Sequence, residues 1–365
     1  MRLARSALTL AFTLLLALAP ACGGEPPPPP VPPRPALLPV PPPPPSTAEV
    51  TPPAPPTSKM TTAEAAKGTI PAYFEALNQH DAKRYAGFFT EDGVLVLPGA
   101  PPILKKGRAE IAAAVQGMFD GIASLKIAPT RVLVKGDTVA VEWAMTGTHS
   151  GDFLGVKPTE KPVGLSGVTV LTFDADSGLV KEAHRYADDA TILAQVGASK
   201  AKARAIPILS SSPEWRTAAG APNEEKDEAA WRRAVAAINE KNESDYVAQH
   251  QDDVAYDDMT QPLGIRGQSE ARKWLKEFTT QMPDAKVEAT SVWGIEDYVV
   301  SELTIRGTNK TAKKEIVLHS ASVLQMKDGK VAHGWSYGDG RELAVQLAPP
   351  PPAPKTTGAL APKKK

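Results

Sequence analysis

Residues 76–96, ALNQHDAKRYAGFFTEDGVLV, return at 237–257 as AINEKNESDYVAQHQDDVAYD. KGRAEI at 106–111 returns as RGQSEA at 266–271, and KIAPTRVLVKGDTVAVEWAMTGT at 126–148 as KVEATSVWGIEDYVVSELTIRGT at 286–308. HRYADDATILAQVG at 184–197 closes the first series, and WSYGDGRELAVQLA at 335–348 closes the second. The spacing holds near 160 residues and shortens to 151 at the last pair. Elements that recur in order over more than 100 residues are too long for a solenoid repeat and require a duplicated domain. The expected copies are 59–198 and 229–348, joined by 199–228.

Within each copy the period of the apolar pattern changes. Ile70, Tyr73, Phe74, Leu77, Tyr85 and Phe88 have helical spacing, interrupted at NQHD, and EIAAAVQGMF reads as another helix. RVLVKGDTVAVEWAMTG, VGLSGVTVLTF and LVKEAHRYAD then alternate with period two, separated by Gly-containing turns. Helices first and strands after predict an α+β fold rather than a parallel α/β sheet.

Proline numbers 37 and crowds the two ends. Arg2 and Arg5 precede the apolar run ALTLAFTLLLALA, which is too short for a comfortable membrane span and has the layout of a secretory signal over 1–21. The lone cysteine, Cys22, follows APA; a small residue before a single cysteine resembles the lipobox of bacterial lipoproteins, with Ala19 where leucine is usual. Cys22 is therefore expected to carry lipid and to anchor the chain to the cell envelope. Gly23 rather than aspartate follows, which by resemblance to enterobacterial sorting points to the outer membrane. The alternative is an ordinary signal peptide cut near Ala21. Residues 22–58 and 349–365 are expected to be proline-rich spacers without a core, the second ending in three lysines.

The stretch GTHSGDFLGVKPTEKPVGLSGVTVLTFDADSGLVKEAHRYADDATILAQVG, 147–197, resembles the second half of a SnoaL-like domain, of the NTF2-like or ketosteroid-isomerase-like superfamily. GDFLGVKPTEKPV and YADDATILAQVG are its most specific marks. The resemblance covers about 70–198; in the second copy it covers the helices, most strands and WSYGDGRELAVQLA, while the shorter NKTAKKEIVL replaces the FLGVKPTEKPV loop. It implies two tandem NTF2-like cones, each a curved antiparallel sheet closed by N-terminal helices, with a pocket at one end. It also implies association through the sheet, as a homodimer or as a pseudo-dimer of the two copies in one chain.

Alternation puts Glu182, His184, Tyr186 and Asp188 on one face of the last strand, and Lys181, Ala183, Arg185 and Ala187 on the other. Burial of large aromatics predicts that the first set faces the cone, with Trp143 as apolar lining, and that Trp335, Tyr337 and Asp339 do the same in the second copy. SnoaL-type cyclases use a late pocket aspartate as acid/base, and Asp188 best matches it, with His184 and Tyr186 beside it; an aspartate in an apolar pocket is a better proton acceptor. The competing reading is that Asp188, with Asp189, caps the terminal helix. His184 gives way to Trp335 in the second copy, so the two sites cannot share one His–Asp mechanism.

Forty-one basic residues balance 41 acidic ones, so no basic footprint suggests nucleic acid. No Gly-rich phosphate loop, Gly-x-Ser-x-Gly or His-Glu-x-x-His occurs, and no His/carboxylate spacing suggests a metal; no cofactor is expected. Asp257 and Asp258 are expected as solvated loop carboxylates. Three functions remain open: binding of a small apolar molecule or a partner; ring closure or isomerisation through Asp188; and a structural role with filled pockets.

Overall fold

The computed structural model describes residues 61–348 apart from Ser211; Cys22, the signal-like run and both proline-rich ends lie outside the described residues. The first copy runs α1 (Thr62–Asn78), α2 (Ala82–Gly87), β1 (Phe89–Leu97), β2 (Ile103–Lys106), α3 (Gly107–Gly121), β3 (Lys126–Lys135), β4 (Thr138–Thr148), β5 (Pro162–Phe173), β6 (Val180–Ala187) and α4 (Asp189–Val196). Then follow β7 (Glu214–Thr217), α5 (Pro222–Glu240), α6 (Glu243–Ala248), β8 (His250–Asp258), β9 (Ile265–Arg266) and α7 (Gly267–Gln281). The second copy ends with β10 (Lys286–Ile295), β11 (Tyr298–Asn309), β12 (Lys314–Lys327), β13 (Lys330–Tyr337) and α8 (Gly340–Leu347).

The helices start where local chemistry allows it. Thr61 and Glu64 form a capping box at α1, and Asp81 and Asn242 cap α2 and α6. The repeated Lys/Arg-Gly before α3 and α7 has a conformational cause: Gly107 and Gly267 sit at φ +75° and +78°, which side chains with a Cβ rarely adopt. Glu110 and Glu270 then accept the backbone N–H of Lys106 and Arg266, the same cap written twice.

The architecture is α+β, two tandem NTF2-like domains, with differences of detail from the sequence reading. β1 and β2 precede α3, so the strands do not all follow the helices. Each sheet is mixed rather than wholly antiparallel, because the last strand returns beside the first in parallel: β6 with β1, and β13 with β8. The joining segment carries β7, which extends the first sheet by pairing in parallel with β3, and α5 already begins at Pro222. Proline at that first helical position lacks an N–H that would have no partner there.

Each sheet is covered on both faces. In the first copy Val132, Val139, Val141, Trp143, Met145, Leu165, Leu171, Ala183 and Ala187 join the core under α1–α3. The alternate residues Leu133, Ala140, Val168 and Val170 join a separate core with Trp293, Ile295, Tyr298, Val300, Ala321, Val323 and Tyr337 of the second copy. The sheet faces turned away from the helices thus pack against each other.

Candidate functional site

The facing expected for the last strand inverts. Ala183 and Ala187 are fully buried under the helices, while His184 and Tyr186 lie on the seam and reach the second domain. Trp335 and Tyr337 likewise join the seam core rather than the second cone. The reason is that both faces of the strand are buried. Large aromatics sit where two sheets meet, and alanines sit where helices approach closely.

At the seam two equivalent glutamates are held across the duplicate axis. Tyr186 Oη donates to Glu302 Oε1 at 2.8 Å, and Tyr337 Oη donates to Glu142 Oε1 at 2.5 Å. Glu142 and Glu302 occupy the same place in β4 and β11. Their cations differ. His184 donates from Nδ1 to Glu302 at 2.7 Å and from Nε2 to Glu182 at 2.9 Å. Burial opposes its charge, but Glu302 and then Glu182 outweigh that and raise it to about 9. Glu142 is paired with Arg131, whose guanidinium also binds Glu214 at 3.0 Å and lies between the rings of Trp335 (4.2 Å) and Tyr298 (4.8 Å). Burial nonetheless pushes the Glu142 carboxyl up.

Asp188 is 3 % exposed, and its carboxylate is occupied. Oδ2 accepts from Thr191 Oγ1 at 2.6 Å, and Oδ1 accepts from the backbone N–H of Gly340 at 2.8 Å. It makes no cap bond to the α4 backbone. The expected cap of α4 is therefore not made; the carboxylate accepts instead from the first N–H of α8 in the other domain. Asp189 does not share the task; it pairs with Arg185 at 2.9 Å. Asp339 caps its own α8 through Arg341 N at 2.9 Å, and burial with nearby Asp189 and Asp188 raises it to about 7. Asp257 is not a solvated carboxylate: it binds His333, Arg204 and Arg266, and Asp258 accepts from the Thr260 backbone and hydroxyl.

The cone of the first domain contains a different constellation. Trp143 lies there, its indole N–H donating to Thr169 Oγ1 at 2.9 Å. Arg185, on the cone side of β6, sits 5.6 Å from the Trp143 ring and pairs with Asp189. Tyr73 from α1 and Tyr85 from α2 close the other side, their hydroxyls 2.5 Å apart. Burial raises both phenols, Tyr85 to about 12, and Arg185 is close enough to act on each. Arg185 and Asp189 keep 18 % and 14 % side-chain exposure, so the cluster meets solvent at that end. Apolar walls with a few convergent polar groups are the usual composition of a ligand site.

The second cone lacks this set. Ala234, Leu303, Ser322, Ser336 and Gly340 stand at the places of Tyr73, Trp143, Thr169, Arg185 and Asp189; only Tyr246 keeps the place of Tyr85. Its interior has an aromatic row of its own: Tyr246 packs at 4.6 Å from His250 and 5.8 Å from Trp274, which stacks on Phe278. Sequence reasoning missed Arg185 by assigning it outward. The signal was in the repeat: Arg185 faces Ser336, and Tyr73 faces Ala234. Among the described residues no group of three or more His, Cys, Asp or Glu side chains is placed to hold a metal ion.

No curated protein matches the chain. Among solved structures it is similar to a candidate SnoaL-like polyketide cyclase from Jannaschia sp. CCS1, at 22% identity over 39% of this chain and 96% of that one, TM-score 0.34. IdmH, a candidate polyketide cyclase from Streptomyces antibioticus, is similar at 26% identity over 36% of this chain and 97% of its own, TM-score 0.32. An LEH-like epoxide hydrolase from M. tuberculosis is similar at 17% identity over 34% and 92%, TM-score 0.31. The SnoaL-like domain family matches twice, at residues 70–183 and 231–334. Together the matches take in more than half of the 365 residues, and the chain belongs to the SnoaL-like domain family, with its NTF2-like domain present in two copies.

Proposed function

We propose that this protein binds a small, mainly apolar molecule in the cone of its first domain, and that the second domain serves as a structural counterpart. The observation that carries the reading is the Arg185–Asp189, Tyr73–Tyr85, Trp143–Thr169 cluster, present in one copy and replaced in the other. These polar groups satisfy one another in pairs and converge inside an otherwise apolar wall, the composition of a ligand site. A ligand with an apolar body and one or two oxygen atoms complements them. The cyclase reading has less support, because His184 and Tyr186 bond Glu302 outside the cone and the Asp188 carboxylate is occupied by Thr191 and Gly340.

The N-terminal pattern supports export and anchoring through lipid on Cys22, with the proline-rich segment as a spacer. In this reading the chain is a monomer, because each sheet face turned away from the helices is already covered by the other copy. The test is solvent extraction of the full chain purified gently from its host, followed by mass spectrometry of the extract. A small molecule recovered with wild type and lost with Arg185→Met supports the reading, and an extract without one contradicts it. Palmitate labelling that Cys22→Ser does not abolish would contradict the anchor.

A further inference from the structure

The seam has a second asymmetry. A cleft of about 340 Å³ is formed by Leu165, Ser166 and Thr191 of the first copy, Met259 and Pro262 of the second, and the strap Arg204–Pro207. On the other side of the duplicate axis, Ser166 and Thr191 correspond to His319 and Glu342. There the larger pair meets directly: His319 Nδ1 lies 2.6 Å from Glu342 Oε1, and the His319 backbone N–H donates to Oε2 at 3.0 Å. One copy fills the place with a pair of bonded side chains, and the other leaves it open with two small hydroxyls.

The walls are fixed rather than draped. Gly164 lets the strap approach, since a Cβ there would come within 2.8 Å of Ile206 and 3.2 Å of Pro207. Gln195 bonds both backbone groups of Gly164 and the Arg204 carbonyl. Arg204 donates to the carbonyls of Asp258 and Gln261 and pairs with Asp257. Thr191 is buried to 94 %, being 6 % exposed, and its hydroxyl proton is committed to Asp188, so toward the cleft it offers an acceptor.

We infer that this cleft is a binding site for an uncharged small molecule with an apolar body and a hydroxyl donor. Its size is at the lower end of ligand pockets. Arg204 is the one charged residue of its lining, and its guanidinium is already taken by Asp257 and by the Asp258 and Gln261 carbonyls, so the walls hold no unpaired charge to draw an ion. Leu165, Ile206, Pro207, Met259 and Pro262 supply the apolar walls, and Thr191 Oγ1 accepts the hydroxyl proton. Because Thr191 bonds Asp188, and Asp188 bonds the first N–H of α8, an occupant rests one hydrogen bond away from the contact that docks the second domain.

The test uses the full chain and three probes of one shape: cyclohexanol, cyclohexylamine and cyclohexanecarboxylate. Binding is read as shifts of the Met259 and Thr191 methyl signals in NMR titrations. Cyclohexanol is expected to bind saturably and the charged probes at least about tenfold more weakly. Ser166→His combined with Thr191→Glu, which writes the second copy's pair into the first, is expected to abolish the shifts at Met259. Ile206→Trp fills the cleft from the strap side and is expected to do the same if the double variant misfolds. Saturable binding that survives a folded filling variant, equal binding of all three probes, or no binding of cyclohexanol overturns the inference. Ile206→Trp changes no residue of the cone cluster, so failure here leaves the proposed ligand site of the first domain standing.

Discussion

Glu142 and Glu302 occupy the same place in two copies of one fold, and the seam holds them with different cations. Tyrosine is common to both: Tyr337 serves Glu142 and Tyr186 serves Glu302. Beyond that, Glu142 has Arg131, boxed between two aromatic rings, while Glu302 has His184. Where the first copy has Arg131 the second has Ser291, and where the first has His184 the second has Trp335. The cation has moved from one strand to another, and Trp335 takes the vacated position as the lid over Arg131. One buried carboxylate on each side still receives one tyrosine and one cation, which is what a buried carboxylate needs. The two sides should therefore respond differently to mutation and to pH.

Arg131→Met is the largest expected break. It leaves Glu142 buried with only a tyrosine, and removing one partner of a buried pair costs about 3–5 kcal/mol. Urea unfolding of the full chain should show it; a loss under 1 kcal/mol would mean that Glu142 takes up a proton at little cost. Tyr337→Phe comes next, at about 1.5–3 kcal/mol for a hydrogen bond to a charged group, and should exceed Tyr186→Phe, where His184 still holds Glu302. Equal losses would erase the difference between the two sides. Asp188→Ala removes the acceptor from the Gly340 N–H and should cost about 1 kcal/mol, whereas Asp188→Asn keeps an acceptor and should cost less.

His184→Gln is the smallest change at neutral pH, because the side chain is one-third exposed, but it sharpens the comparison most. His184 is raised from 6.5 to about 9 on folding. Its stabilising effect is complete below pH 6.5 and is lost as pH rises through 9. Arg131, the matching cation on the other side, stays charged throughout that window. The urea midpoint of wild type should fall between pH 7 and pH 10, and His184→Gln should flatten that fall; parallel curves would remove His184 as its source.

The duplication, the α+β class and most strands were legible in the sequence because repeat and periodicity are local signals. The facing of β6 was not. Alternation separates Glu182, His184 and Tyr186 from Ala183, Arg185 and Ala187, but it cannot say which set faces helices when a second sheet covers the other side. The alternation sets Arg185 with the alanines on the face expected away from the cone, yet Arg185 enters the cone, where Asp189 and the Trp143 ring receive it. Asp188 reads as the cap of α4 from its place before that helix, but its carboxylate is taken by Thr191 and by the Gly340 N–H of the other copy; that depends on docking, which no local pattern records.

The same contrast applies to the cones, where it bears on function. Native mass spectrometry of the full chain from its own host, counting bound small molecules per chain, tests it most directly. One bound molecule is expected to depend on Arg185, lost in Arg185→Met and kept in Ser336→Val, the counterpart change in the second copy. Retention of that molecule in Arg185→Met, or its loss on changing Ser336 with Arg185 intact, would contradict the assignment of binding to the first cone.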